Sequence, residues 1–260
     1  MHRFLLLALL LAAANAPAVA QDERRVTSPD GRLEFRILLS QPEPGALFRL
    51  AYQISLDGKR VIDTSFLGLN IRFQEPLLGE NVGLTKASSG KTGGYNSLTL
   101  EYMQNGSLGR RINVEVRAAN DGIAFRYLIP KTSPVENLLL EDETTEFALA
   151  RDGAANLPNR IGSTRLAQID TKSRMSLPFI AQQPGVGWVV INEVRAGDYP
   201  RASLVRSEGT VFLTRLQSTE GDPAVVFESA TPLTCPWRVV MVGPDRDRLL
   251  LSESFKDLDR

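Results

Sequence analysis

The chain has 260 residues, 43% of them hydrophobic and 23% charged, with 30 Lys and Arg balanced by 30 Asp and Glu. That composition supports a sizeable core and excludes a disordered chain, and the absence of a basic cluster excludes the charged face that nucleic-acid phosphates demand. One histidine, His2, and one cysteine, Cys235, exclude an internal disulfide, a His-based triad in the mature chain and a zinc site.

Residues 1–20, MHRFLLLALLLAAANAPAVA, have a basic start, an apolar run from Phe4 to about Ala13 and the small-residue ending Ala18-Val19-Ala20. This pattern reads as a secretory signal peptide cleaved before Gln21, with a mature domain over residues 21–260 in the periplasm or outside the cell. Once the peptide is removed no membrane span is expected, and His2 leaves with it. Carboxylates, lysines, tyrosines and main-chain groups then carry whatever chemistry there is.

Farther along, alternation with period two dominates. Leu33 to Leu39 reads as a strand after the turn SPDGR; Phe48, Leu50, Tyr52, Ile54 and Leu56 share one side of another, and Asp57-Gly58 turns it back into KRVI. SSGKTGGYN reads as a turn-rich approach to the strand Leu98 to Tyr102, and Ile112, Val114 and Val116 lead through ANDG to Ile123, Phe125, Tyr127 and Ile129. EDETTE, Glu141 to Glu146, reads as a solvated charge run whose spacing selects no catalytic acid and base. Asp152 to Ser176 is the longest loop-like stretch. Gly187 to Ile191, Val211 to Leu216, Val225 to Phe227 and Trp237 to Val242 complete the strands.

No long segment keeps helical spacing, so the expected fold is all-β: short antiparallel strands in two sheets around one core. Trp188 and Trp237 sit in apolar runs and are expected in that core, as is Cys235, beside Pro236 with no histidine to activate it. Tyr95 and Tyr199, in turn-rich segments, are the aromatic residues better placed to face a ligand. Glu193 stands apart, a carboxylate at the end of the apolar run in INEVRAGDYP.

The succession SPDGRLEFRI, YQISLDGKRVI, SFLGLNI, YNSLTLEY, NVEVRAANDGIAFRYLIP, ETTEFAL, LPFI, GWVVINEVRAGDYPRASL and CPWRVVMVGPDRDRLLLSES resembles the N-terminal domain of glycoside hydrolase family 97 over essentially the whole mature chain. NDGIAFRY and PWRV are the more specific pieces. The resemblance implies an antiparallel β-super-sandwich similar to galactose mutarotase-like domains, which in that family packs on a (β/α)8 barrel holding the catalytic carboxylates of α-glucosidases and α-galactosidases. It implies that Glu193 is a calcium ligand, with Asn192 where histidine is common and Val194 where alanine is common. Calcium takes six to eight oxygens, so one glutamate makes an incomplete site, and calcium is expected only with a barrel partner.

Three readings follow. The first is a non-catalytic, exported glycosidase-associated domain, binding α-glucosides or α-galactosides or forming the N-terminal part of a calcium-dependent α-glycosidase. The second is a fragment or split subunit of an active enzyme, since by the resemblance the barrel would begin about where Arg260 stands. The third is a structural module that docks to a separate partner. By itself the chain is not expected to be catalytic. An epimerase of mutarotase type is disfavoured because its general acid is normally a histidine.

Overall fold

Period-two alternation becomes a set of antiparallel ladders, each with one side turned to the core. The computed structural model describes residues 23–107, 109–135, 137–157, 162–194, 197–217 and 224–258. The expected signal peptide and its cleavage point lie outside the described residues. In Leu33–Ser40 the residues Leu33, Phe35 and Ile37 are buried while Glu34 and Arg36 lie on the wetter side. Its neighbour Arg49–Leu56 turns into Lys59–Phe66 through Asp57 and Gly58, whose φ values of 49° and 74° suit a two-residue hairpin turn. Arg111–Ala119 and Gly122–Ile129 form the second expected hairpin.

The largest sheet has ten strands. From one edge it runs Ser163–Arg165, Ala154–Asn156, Phe179–Gln183, Gly187–Val194, Trp237–Gly243, Gly122–Ile129, Arg111–Ala119, Tyr95–Gln104 and Val82–Thr92, with Leu233–Thr234 paired to Gly122–Ile129. A four-stranded sheet, Arg24–Thr27, Leu33–Ser40, Arg49–Leu56 and Lys59–Phe66, faces it. Phe35 and Tyr52 from this sheet meet Phe125 from the larger one, and Phe147 closes the group at centroid separations of 4.8 to 6.5 Å. Burying each such ring is worth about 1.5–3 kcal/mol, so this contact fixes how the layers stack. Two smaller sheets complete the sandwich: Phe227–Ser229, Leu138–Glu143 and Leu69–Ile71, then Glu146–Ala148, Val211–Leu216, Ala202–Arg206 and Arg174–Ser176.

The ten-stranded sheet is covered on its other face as well, which explains why every residue of Trp237–Gly243 is buried. The short helix Arg246–Leu250, capped by the Asp245 carboxylate, leads into a tail whose Leu249, Phe255 and Leu258 pack on Ala124, Val190, Val239 and Met241. Gly122 makes room for it: a Cβ there would sit 2.5 Å from Met241 Sδ and 2.9 Å from the Phe255 ring.

Four expectations are corrected. Ser88 to Thr92 continue the strand Val82–Thr92, leaving Gly93-Gly94 as the turn, because backbone pairing with Tyr95–Gln104 overrides a small polar composition. Asp152 to Ser176 is no simple loop, since it contains three short strands and one 3-10 turn at Leu166–Gln168. The strand expected at Val225 to Phe227 lies at Phe227–Ser229. Trp188 is only half-buried, with the Arg246 guanidinium 5.8 Å from its ring.

Strand direction separates two ends of the sandwich. The strand carrying Glu193 ends in the same direction as the one ending at Gln104, but the pairs Glu193 with Arg238, Arg238 with Phe125, Phe125 with Val116 and Val116 with Leu98 set Glu193 level with Leu98, well short of Gln104. Arg49, bridged to Glu80, lies toward the Gln104 end. The turns at Asp57-Gly58, Gly93-Gly94, Asn120-Asp121 and Gly185 share the opposite end.

Candidate functional site

Glu193 and Arg238 are direct cross-strand partners on the inner side of the ten-stranded sheet. From the opposing layer Leu138–Glu143 brings Glu143 beneath them. The Arg238 side chain is 2% exposed, Glu143 0% and Glu193 10%. Arg238 donates to both oxygens of Glu143, Nε to Oε1 at 2.7 Å and Nη2 to Oε2 at 2.5 Å, and its Nη1 donates to Glu193 Oε2 at 2.6 Å. This fork is the geometry that offsets the desolvation of a buried ion pair.

Glu143 is saturated. Thr145 Oγ1 donates to Oε1 at 2.8 Å and Tyr199 Oη to Oε2 at 3.1 Å, and Tyr127 Oη lies 2.6 Å from Thr145 Oγ1. Burial lowers the tendency of Arg238 to hold its proton, but Glu143 more than reverses this, and the guanidinium is held above its ordinary range. Burial, then the neighbouring Cys235 and Glu143, pushes the Tyr199 phenol well up, and burial, then Glu143, pushes the Cys235 thiol up. Cys235 is thus the buried, inert thiol expected.

Glu193 is the outer member of this group. Among the described residues its oxygens otherwise meet only the Ala202 N–H, at 3.3 and 3.4 Å. It opens on a cavity of about 540 Å³ lined by Arg174, Asn192, Arg201, Ser203 and Gln217 among others. Arg174 reaches the Leu216 carbonyl at 3.5 Å, and the Arg201 side chain has no partner among the described residues.

Two site expectations change here. Tyr199 does not face a ligand: it is 1% exposed and its hydroxyl serves Glu143. EDETTE is not a solvated face, because Glu143 and Thr145 point inward. The strand has a register shift between Leu140 and Asp142, and this bulge reverses the alternation so that Glu143 follows Leu138 and Leu140 into the core. Tyr95 is half-buried on a strand four positions across the sheet from that of Glu193, with the Arg117 guanidinium 4.8 Å over its ring, so the sequence candidates do not converge. Asp198 is exposed.

Arg238 joins the site although period-two alternation alone does not mark it; the signal is a cation inside the apolar run WRVVMV, itself a sign of a buried partner. As a calcium site the residues of this chain do not suffice. Glu193 is one carboxylate already tied to Arg238, two arginines line the same cavity, and no group of three or more His, Cys, Asp or Glu suited to a metal occurs among the described residues. Among the described residues the only carboxylate oxygen the cavity offers a cation beside Arg238 is Glu193 Oε1.

The fold and site define an all-β sandwich domain with a carboxylate held by a buried arginine. The family description "Glycosyl-hydrolase 97 N-terminal" matches residues 26–259, and the chain belongs to that family. It is 24% identical to a retaining alpha-galactosidase of Bacteroides thetaiotaomicron over 97% of this chain and 43% of the relative. It is 28% identical to a probable retaining alpha-galactosidase of Streptomyces bingchenggensis over 91% of this chain and 40% of the relative. The chain therefore spans about two fifths of the length of these curated relatives. Among solved structures, a glycoside hydrolase family 97 enzyme from Pseudoalteromonas sp. strain K8, in complex with acarbose, superposes with a TM-score of 0.75 at 22% identity, covering 91% of this chain and 38% of that one. A beta-arabinopyranosidase superposes with a TM-score of 0.67 at 22% identity, covering 86% and 40%.

Proposed function

We propose that this chain is an exported accessory domain of an α-glycosidase, working with a barrel that carries the catalytic carboxylates and acting on an α-galactoside or α-glucoside. The observation that carries the reading is Glu193, anchored by a fully buried Arg238 and turned to a cavity at the end of its strand. Its remaining oxygen would be one ligand of a calcium ion whose other ligands the barrel supplies. The α-galactoside alternative is supported by the names of the two curated relatives. Export rests on residues 1–20.

The native protein tests this. An antibody to residues 21–260 is used to recover it from source cells, its N-terminus is read, and nitrophenyl α-galactoside and α-glucoside are assayed with and without a calcium chelator. A calcium-dependent activity in the recovered assembly, reduced by Glu193→Gln, is the expected result. Recovery of an assembly with a barrel but no α-glycosidase activity would overturn it.

A further inference from the structure

Among the described residues the exposed large apolar side chains are Leu47, Phe48, Phe73, Leu250 and Leu251. Leu251 lies beside Asp121 and Asp245, at the end of the tight turns. Leu47, Phe48 and Phe73 lie toward Asn105 and Arg110. The Phe48 carbonyl accepts the Asn81 N–H, and the Asn81 carbonyl accepts that of Asn105 in the 105–110 connection. Phe73 belongs to a turn held by the same connection, since Arg110 donates to the Gln74 carbonyl at 2.8 Å and to the Pro76 carbonyl.

Phe73 is doubly costly to the isolated chain. Its φ is +61°, the left-handed region, in a turn closed by the Gln74 N–H on the Ile71 carbonyl, where glycine or asparagine is the ordinary occupant. A side chain with a Cβ there costs about 1–2 kcal/mol. The residue is also 87% exposed, its ring covered on one side by the Arg72 guanidinium, 4.9 Å from the centroid. The turn does not flex to hide it, because Arg110, itself 2% exposed, clamps it from beneath and the Arg72 N–H donates to the Leu139 carbonyl at 2.9 Å. Strain and exposure fixed together on a rigid support mark a side chain whose return comes from a partner.

We infer that Phe73 anchors a docking surface, shared with Phe48 and Leu47, for the catalytic domain of the glycosidase; the inference rests on the function proposed above. More than half of each curated relative lies outside the part this chain matches, so a partner larger than the sandwich is at hand. The strand carrying Glu193 ends in the same direction as those beside the surface, so a partner broad enough to span both would cover the aromatic anchor and meet Glu193. Rigid aromatic anchors of this kind carry a large share of interface energy.

Hydroxyl-radical footprinting tests it, comparing the native protein recovered from source cells with isolated residues 21–260. Leu251, 80% exposed at the opposite end, is the internal standard. The expected result is a severalfold loss of Phe73 labelling in the native assembly with Leu251 unchanged, and Phe73→Asn, which suits the turn, should loosen the assembly while the isolated chain stays folded. A native assembly that contains the catalytic domain yet labels Phe73 as strongly as the isolated chain would overturn the inference and leave the function standing. A native polypeptide of the size of residues 21–260 with no companion would overturn both. Protection of Phe73 that grows with concentration in the isolated chain would assign the surface to a second copy and overturn the chosen partner.

Discussion

The two ends of the sandwich are built on different principles. At one end the strands reverse through Asp57-Gly58, Gly93-Gly94 and Asn120-Asp121, tight turns whose conformations their own residues favour. Toward the other, Glu193, Glu143 and Arg238 form a buried ionic group, Arg110 clamps a turn through carbonyls, and Phe73 takes a backbone conformation its side chain disfavours. Local chemistry suffices for the first end. The second exists only because distant segments hold each other in place, which is the arrangement expected where function displaces local preference.

Substitutions sharpen the contrast. The largest effect is expected from Arg238→Met, which leaves Glu143 charged and uncompensated in the core and should cost about 3–5 kcal/mol in urea unfolding. A loss no greater than that of a surface substitution would mean that water reaches the group. Glu193→Gln removes the outer partner only, and since Glu143 still neutralises Arg238 the expected cost is about 1–2 kcal/mol. At the opposite end Gly58→Ala forces a Cβ onto φ +74° in open space, so backbone strain alone should cost about 1 kcal/mol. Phe73→Asn is expected to act in the other sense, raising the stability of the isolated chain by roughly 0.5 kcal/mol, since asparagine tolerates the left-handed region. A fall in its thermal midpoint would show that the exposed ring contributes to the fold by itself.

The smallest expected effect is on pH dependence. Burial pushes the Glu146 carboxyl above its ordinary value of 4.5 and the Asp142 carboxyl above 3.8, with Arg215 partly opposing the latter. Between those ordinary values and the raised folded ones, the folded chain keeps protons that the unfolded chain has released. This contribution to stability is therefore present at the lower pH and lost as pH rises through the folded values. Unfolding curves taken across that window should show the slope in wild type and a flatter one in Glu146→Gln; equal slopes would remove Glu146 from the account.

Much of the fold was legible because burial on one side of a strand writes itself as alternation. Phe35, Tyr52 and Phe125 each stand at the expected parity and meet in the core. The site was only half legible. Glu193 announced itself as a charge at the end of an apolar run, but Glu143 hid within a charge run and Tyr199 looked like a surface ring because a glycine turn precedes it. In both cases the deciding fact is a contact between segments far apart in sequence, 95 residues for Glu143 with Arg238 and 56 for Tyr199 with Glu143. The strand Val82–Thr92 was missed for a related reason, since its backbone partner and not its small polar side chains makes it a strand.

The bulge between Leu140 and Asp142 gives the strand something like a reading frame. Substitutions change single side chains, whereas removal of the extra residue would shift the phase of everything after it, turning Glu143 outward and bringing its neighbour in. For this domain the most damaging change near the site need not alter any contacting residue; the loss of one residue between Leu140 and Glu143 would dismantle the ionic group while leaving all of its members in the sequence.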